Sequence, residues 1–147
     1  MKEKLSKKNS RFRIGRDNLG SQLSQVANLL DAGVKIPVFK VSIGSFDTHI
    51  DQFWKHRSLL RELSEGIFDF TQALKQMGLW DNTIIMTYSE FGRRANENGS
   101  RGTDHGMAAP HFLLGGSIKG CVFCGELNFN NLNNNNLAFQ VDYRSLY

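Results

Sequence analysis

The chain has 147 residues, the length of one domain or part of one. Its charged share of 22% and apolar share of 40% suit a chain with a genuine core and exclude a wholly disordered one. No run of about eighteen apolar residues occurs, so no membrane span is expected, and no apolar stretch follows the basic start as it does in a signal peptide. The net charge of +4 gathers at Lys2, Lys4, Lys7, Lys8, Arg11, Arg13 and Arg16. Such a cluster can touch an anionic surface. It lacks the pattern of a single-strand binder, so no nucleic-acid partner is expected and residues 1–17 read as a solvated, partly disordered lead-in.

Leu19, Leu23, Val26, Ala27, Leu29 and Leu30 recur at helical spacing, with Asp17 or Asn18 as cap and Gly33 as stop. Residues 36–43 are β-branched and apolar and read as a buried strand, with Pro37 near its start. Residues 46–52 form the loop that leaves it. A long helix is expected from Phe53 to Met77, closed by Gly78. Residues 79–82 turn into a second buried strand, 83–88. Strands alternating with helices imply parallel pairing through a right-handed crossover. The long polar loop of residues 89–109 has the length of a functional segment. Residues 110–115 read as one more strand. The tail carries seven asparagines among the nine residues 128–136 and reads as a low-complexity, flexible loop. Cys121 and Cys124, flanked by Gly120 and Gly125, form a lone pair too few for structural zinc and read as incidental thiols.

Two polar clusters follow the two expected strands, and they are expected to meet in space. Asp47 and His49 stand two apart, so in an extended loop both face one ligand. A carboxylate with an imidazole suits Zn²⁺ and is compatible with Mn²⁺. The alternative is a loop carboxylate bonding local amides. His56 is either an exposed helix residue or a group that orients a ligand from behind. Glu90, Asp104 and His105 share the second loop, with Gly102 and Gly106 letting backbone approach a ligand. Arg93 and Arg94 suit a phosphate or sulfate. The alternative is that these charges pair with one another at the surface. Ser89 lacks the flanking glycines of a nucleophile elbow and is not proposed as a nucleophile.

Residues 45–49 (Ser-Phe-Asp-Thr-His) with Gln52 and His56, residues 89–93 (Ser-Glu-Phe-Gly-Arg) and residues 102–106 (Gly-Thr-Asp-His-Gly) together resemble, in order and spacing, the bacterial family called domain of unknown function 1501. The resemblance runs from about Leu19 to the end. That family is grouped with the sulfatase-like, alkaline-phosphatase superfamily. The resemblance therefore implies an α/β fold, a mostly parallel sheet with helices on both faces, of which residues 18–147 would be the C-terminal part. It implies divalent metal, Zn²⁺ or Mn²⁺, at the strand ends, and hydrolysis of phosphate or sulfate esters, the substrate being a small or polymeric anionic ester. Under it Asp47, His49, Glu90, Asp104 and His105 hold metal, Arg93 faces the anionic group, and His56 stands behind the ligands. Asp104-His105 can register either as the late histidine of the first metal or as the aspartate–histidine pair itself. Full-length relatives are often exported.

The chain departs from the pattern in three places. Four residues past Asp47 is Asp51 where a histidine is usual. Phe91 stands where relatives carry a histidine. The strand and helix that bring the nucleophile in relatives have no counterpart, so this chain alone is expected to be inactive. A non-catalytic remnant or an anion-binding module is the alternative reading.

Overall fold

The computed structural model describes residues 10–120, 128–138, 142 and 144. Cys121 and Cys124 lie outside them. The elements run α1 (Asn18–Asp31), α2 (Gln52–Gln76), a single 3₁₀ turn (Trp80–Asn82), β1 (Ile84–Met86), β2 (Gly92–Arg93), β3 (His105–Gly106) and β4 (Leu113–Gly115). The chain forms two compact units. One holds the described residues up to Ser45 together with Arg57–Trp80; the other holds Phe46–His56 with the described residues from Asp81 onward.

In the first unit the apolar stripe of α1 is buried at Leu19, Leu23, Val26 and Ala27, and α2 contributes Phe70, Ala73 and Leu74. Gly66 lets the helices approach, since a Cβ there would lie 3.2 Å from Leu23 Cδ1. Asp17 caps α1 by accepting from the Gly20 amide at 2.6 Å, a contact that contributes about 1 kcal/mol. Burial of the basic lead-in differs from expectation over residues 12–14. Phe12 and Ile14 belong to the core. Asn28 accepts from the Phe12 amide at 3.1 Å and donates to the Phe12 carbonyl at 2.9 Å, and Ser24 accepts from the Ile14 amide at 2.7 Å. Side chains of α1 thus satisfy a backbone that has no strand partner, a pairing invisible to local periodicity.

The strand expected over residues 36–43 does not form. Ile36 is 48% exposed and Val38 76% exposed, and the tie to α1 is the amide of Gln22, whose Nε2 donates to Ser42 O and whose Oε1 accepts from Ser42 N. β-branched residues favour a strand, but a strand needs a ladder to satisfy its backbone, and no described segment supplies one. The helix predicted as Phe53 to Met77 is α2, one residue earlier at each end.

In the second unit β1 pairs antiparallel with β4, Ile85 opposite Leu114. The expected buried parallel strand over residues 83–88 is therefore a short strand with an exposed face, Ile84 being 69% exposed. The β2–β3 pair is also antiparallel, Arg93 opposite His105. Among the described residues no parallel pair occurs. Within the asparagine run, read in sequence as a flexible loop, residues 133–136 form a hydrogen-bonded turn. Asn133 and Asn136 form a bridge, with Asn134 and Asn135 at positive φ, a conformation asparagine tolerates. The Ala95 amide donates to Asn135 O and the Met107 amide to Asn136 Oδ1, so the turn lies along the polar loop. Among the described residues no helix is long and apolar enough to cross a membrane.

Candidate metal centre

The second unit brings residues 46–52 against residues 98–106 by backbone bonding. Ile50 bridges Arg101, the Asp51 amide donates to Ser100 O at 3.1 Å, and the Gln52 amide donates to Arg101 O at 2.9 Å. The two polar clusters of the sequence thereby meet. Residues directly opposite in an antiparallel pair share a face. The register Arg93–His105 accordingly points both side chains at Asp47.

Asp47 Oδ1 is the focus. His105 Nε2 lies 2.8 Å away, Arg93 Nη2 2.9 Å and His49 Nε2 3.0 Å. One ligand atom from each of Asp47, His49 and His105 lies within 4.8 Å of the others. All three side chains are exposed, so the cluster is open to solvent. His49 is held at both ends, because its Nδ1 meets Asp104 Oδ1 at 3.3 Å. Asn98 organises that contact. Its Nδ2 donates to Asp104 Oδ1 and to His49 O, while its Oδ1 accepts from the amides of Ser100 and Gly102.

A second layer lies behind the loop. Thr48 is 2% exposed. Its Oγ1 lies 2.7 Å from His56 Nε2 and 3.1 Å from Gln52 Oε1, which also accepts from Thr103 Oγ1 at 2.7 Å. The Thr48 hydroxyl thus joins His56 and Gln52 in one part-buried hydrogen-bonded group. His56 thus supports the loop between Asp47 and His49 and contributes no atom to the cluster.

The expected ligands divide. Asp47, His49 and His105 converge. Asp104 sits one shell out, on the far nitrogen of His49, the position of the carboxylate that orients a ligating histidine. Glu90 is exposed and lies outside the cluster. Arg93, expected to face an anionic group, is instead 17% exposed along its side chain and spends its donors inward: Nη1 on Thr103 O at 2.5 Å, Nη2 on Phe46 O at 2.7 Å and on Asp47. Its Nε is enclosed without a partner. Arg94 remains exposed beside Asp104. Spacing alone revealed nothing of Asn98, Thr103 or the Thr48–Gln52 contact, because each joins segments about fifty residues apart or bonds through a loop whose shape is tertiary.

The charges act on both carboxyls. Hydrogen bonding from His105, then the charges of His105 and His49 and a bond from Arg93, hold Asp47 below its ordinary value. Asp104 is lowered chiefly by Asn98 and then by His49. A carboxyl lowered in the folded chain favours folding above its ordinary value, about 3.9, and that contribution disappears as acid protonates it. Carboxyl ¹³C titration should place both midpoints below that value. His105→Ala should raise the Asp47 midpoint and leave Asp104 where it is; an unmoved Asp47 midpoint would contradict the contact.

The profile of a family described as Protein of unknown function (DUF1501) matches residues 7–142. No curated protein and no solved structure matches the chain.

Proposed function

Since the chain belongs to the DUF1501 family, we propose that its second unit is a divalent-metal centre, serving hydrolysis of phosphate or sulfate esters on a sulfatase-like, alkaline-phosphatase type of fold. The observation that carries the reading is the convergence of Asp47 Oδ1, His49 Nε2 and His105 Nε2. One carboxylate oxygen and two imidazole nitrogens fit Zn²⁺, and Mn²⁺ is compatible with them. The fit is supported by Asp47 Oδ1 itself, a single oxygen already surrounded by three nitrogen groups. A divalent ion held there supplies Lewis-acid polarisation of an ester oxygen.

The chain's own residues prepare the site. Asp104 and Asn98 hold His49 with Nε2 facing inward. Arg93 balances the Asp47 charge and ties Phe46 to Thr103. Thr48, Gln52 and His56 hold the intervening loop from behind. The α/β fold proposed with this function, a mostly parallel sheet with helices on both faces, rests on the resemblance of the motifs; the described strands themselves pair antiparallel.

One observation favours the second reading, a metal- or anion-binding module without catalysis. Three hydroxyls of the loops that carry the cluster are spent: Thr48 and Thr103 both on Gln52, and Ser89 on Phe91 O. Nitrophenyl phosphate and nitrophenyl sulfate offered to the metal-loaded chain separate the two. Turnover of either ester that disappears on chelation supports the hydrolase. Stoichiometric metal with no turnover supports the metal-binding module, and absence of metal removes the metal-dependent hydrolase and the metal-binding module and leaves the anion-binding one.

A further inference from the structure

We propose that Phe91 is a positioning residue for His105, fixing the plane of that imidazole for metal; the assignment rests on the metal reading above. The two ligating histidines are held differently. His49 is gripped at both nitrogens, by Asp47 and Asp104. His105 is tied at Nε2 alone, to Asp47 Oδ1, and no described group bonds its Nδ1. Its side chain is half exposed. A ligating histidine ordinarily has its second nitrogen bonded to a group that fixes ring orientation. Moreover, the one side-chain hydrogen bond His105 makes among the described residues uses the nitrogen that coordination requires. The ring would lose that tie on taking up a cation.

Phe91 supplies the missing constraint by another force. Its ring lies flat on His105, with centroids 4.2 Å apart and planes 6° from parallel. Flat stacking resists rotation about the Cβ–Cγ bond of His105 and so fixes the plane of the imidazole. Phe91 is itself braced, since the Arg93 Cζ lies 5.0 Å from its ring centroid. Arg93 in turn is pinned to Phe46 O, Thr103 O and Asp47. The register places His105 opposite Arg93, and Phe91 immediately precedes β2, in contact with both side chains.

The test compares the full chain with its Phe91→Ala, Phe91→Leu and Phe91→Tyr variants, using Co²⁺ absorption as a spectroscopic probe and Zn²⁺ competition for affinity. Circular dichroism reports folding, and Phe91→Leu carries the comparison where Phe91→Ala fails to fold. Loss of the flat ring should weaken metal binding about tenfold or more, the range seen when an orienting partner of a ligand is removed, and should alter the Co²⁺ bands. Phe91→Tyr, which keeps the ring, should restore wild-type affinity and bands. Wild-type affinity in both Phe91→Ala and Phe91→Leu overturns the assignment, as does a Phe91→Tyr variant as weak as Phe91→Leu. A wild-type chain that binds neither ion overturns the metal reading and this assignment with it, so the two failures are distinguishable.

Discussion

His105→Ala should abolish stoichiometric binding of divalent metal. The proposed site has three candidate ligand atoms among the described residues, and His105 offers one of the two nitrogens. Structural zinc sites of four ligands are worth about 10–16 kcal/mol, so one ligand carries roughly 3 kcal/mol, or about a hundredfold in affinity. Equilibrium dialysis followed by plasma mass spectrometry measures it. His49→Ala should behave alike. Asp104→Asn should cost less, about tenfold, because Asp104 touches His49 Nδ1 rather than the metal position. Glu90→Ala is the informative control. The resemblance counts Glu90 among the ligands, whereas the structure leaves it outside the cluster, so its removal should leave metal content unchanged. Unchanged metal in His105→Ala would sink the metal centre; lost metal in Glu90→Ala would restore the ligand set implied by the motifs.

Gly102→Ala should damage the site without touching any ligand. A Cβ at Gly102 would lie 2.2 Å from the carbonyl carbon of His49 and 2.3 Å from its oxygen. Both are backbone atoms, so no side chain can swing aside. The neighbouring bonds, Ile50 with Arg101 and Thr103 N to Thr48 O at 3.3 Å, hold the two segments at this spacing. An added methyl must part them, and overpacking of this kind costs about 1–3 kcal/mol. Since one segment carries Asp47 and His49 and the other Asp104 and His105, the separation also spoils the cluster. We expect a lower unfolding midpoint together with weakened metal binding. Gly99→Ala, where a Cβ meets nothing within 4 Å, should match wild type in both measurements. A Gly102→Ala variant with normal stability and normal metal binding would show that the segments do not pack this closely. The glycines beside Asp104-His105 read in sequence as room for a ligand. At Gly102 the room is taken by another stretch of backbone.

Local signals were read well where the physics is local. The period of Leu19, Leu23, Val26 and Ala27, with Asp17 as cap, located α1. The apolar spacing through Phe70 and Leu74 located α2 to within a residue. Both depend on contacts within a few residues of chain. The strands were read less well, because pairing is a long-range property. Residues 36–43 have the composition of a strand and lack a ladder. Residues 84–86 have a ladder, and it is antiparallel with residues 113–115. The asparagine run adds a feature composition does not show: a turn with two residues at positive φ that bonds to the polar loop.

The sequence by itself determined which residues are candidates for the chemistry. The two polar clusters, their order and the identity of Asp47, His49, Asp104 and His105 are legible from spacing and residue type. Only the tertiary structure decided which of them meet and through which atoms. Ligand and orienting carboxylate are the same chemical group, and what separates Asp47 from Asp104 is which nitrogen of His49 each one meets. Arg93 became an internal brace because the β2–β3 register turns it toward Asp47 and the carbonyls of Phe46 and Thr103. Phe91, which offers no ligand atom, acquired a place at the site through a stack with a residue fourteen positions away. Role here follows from distance and direction between segments far apart in the chain, and neither is encoded in residue type or local spacing.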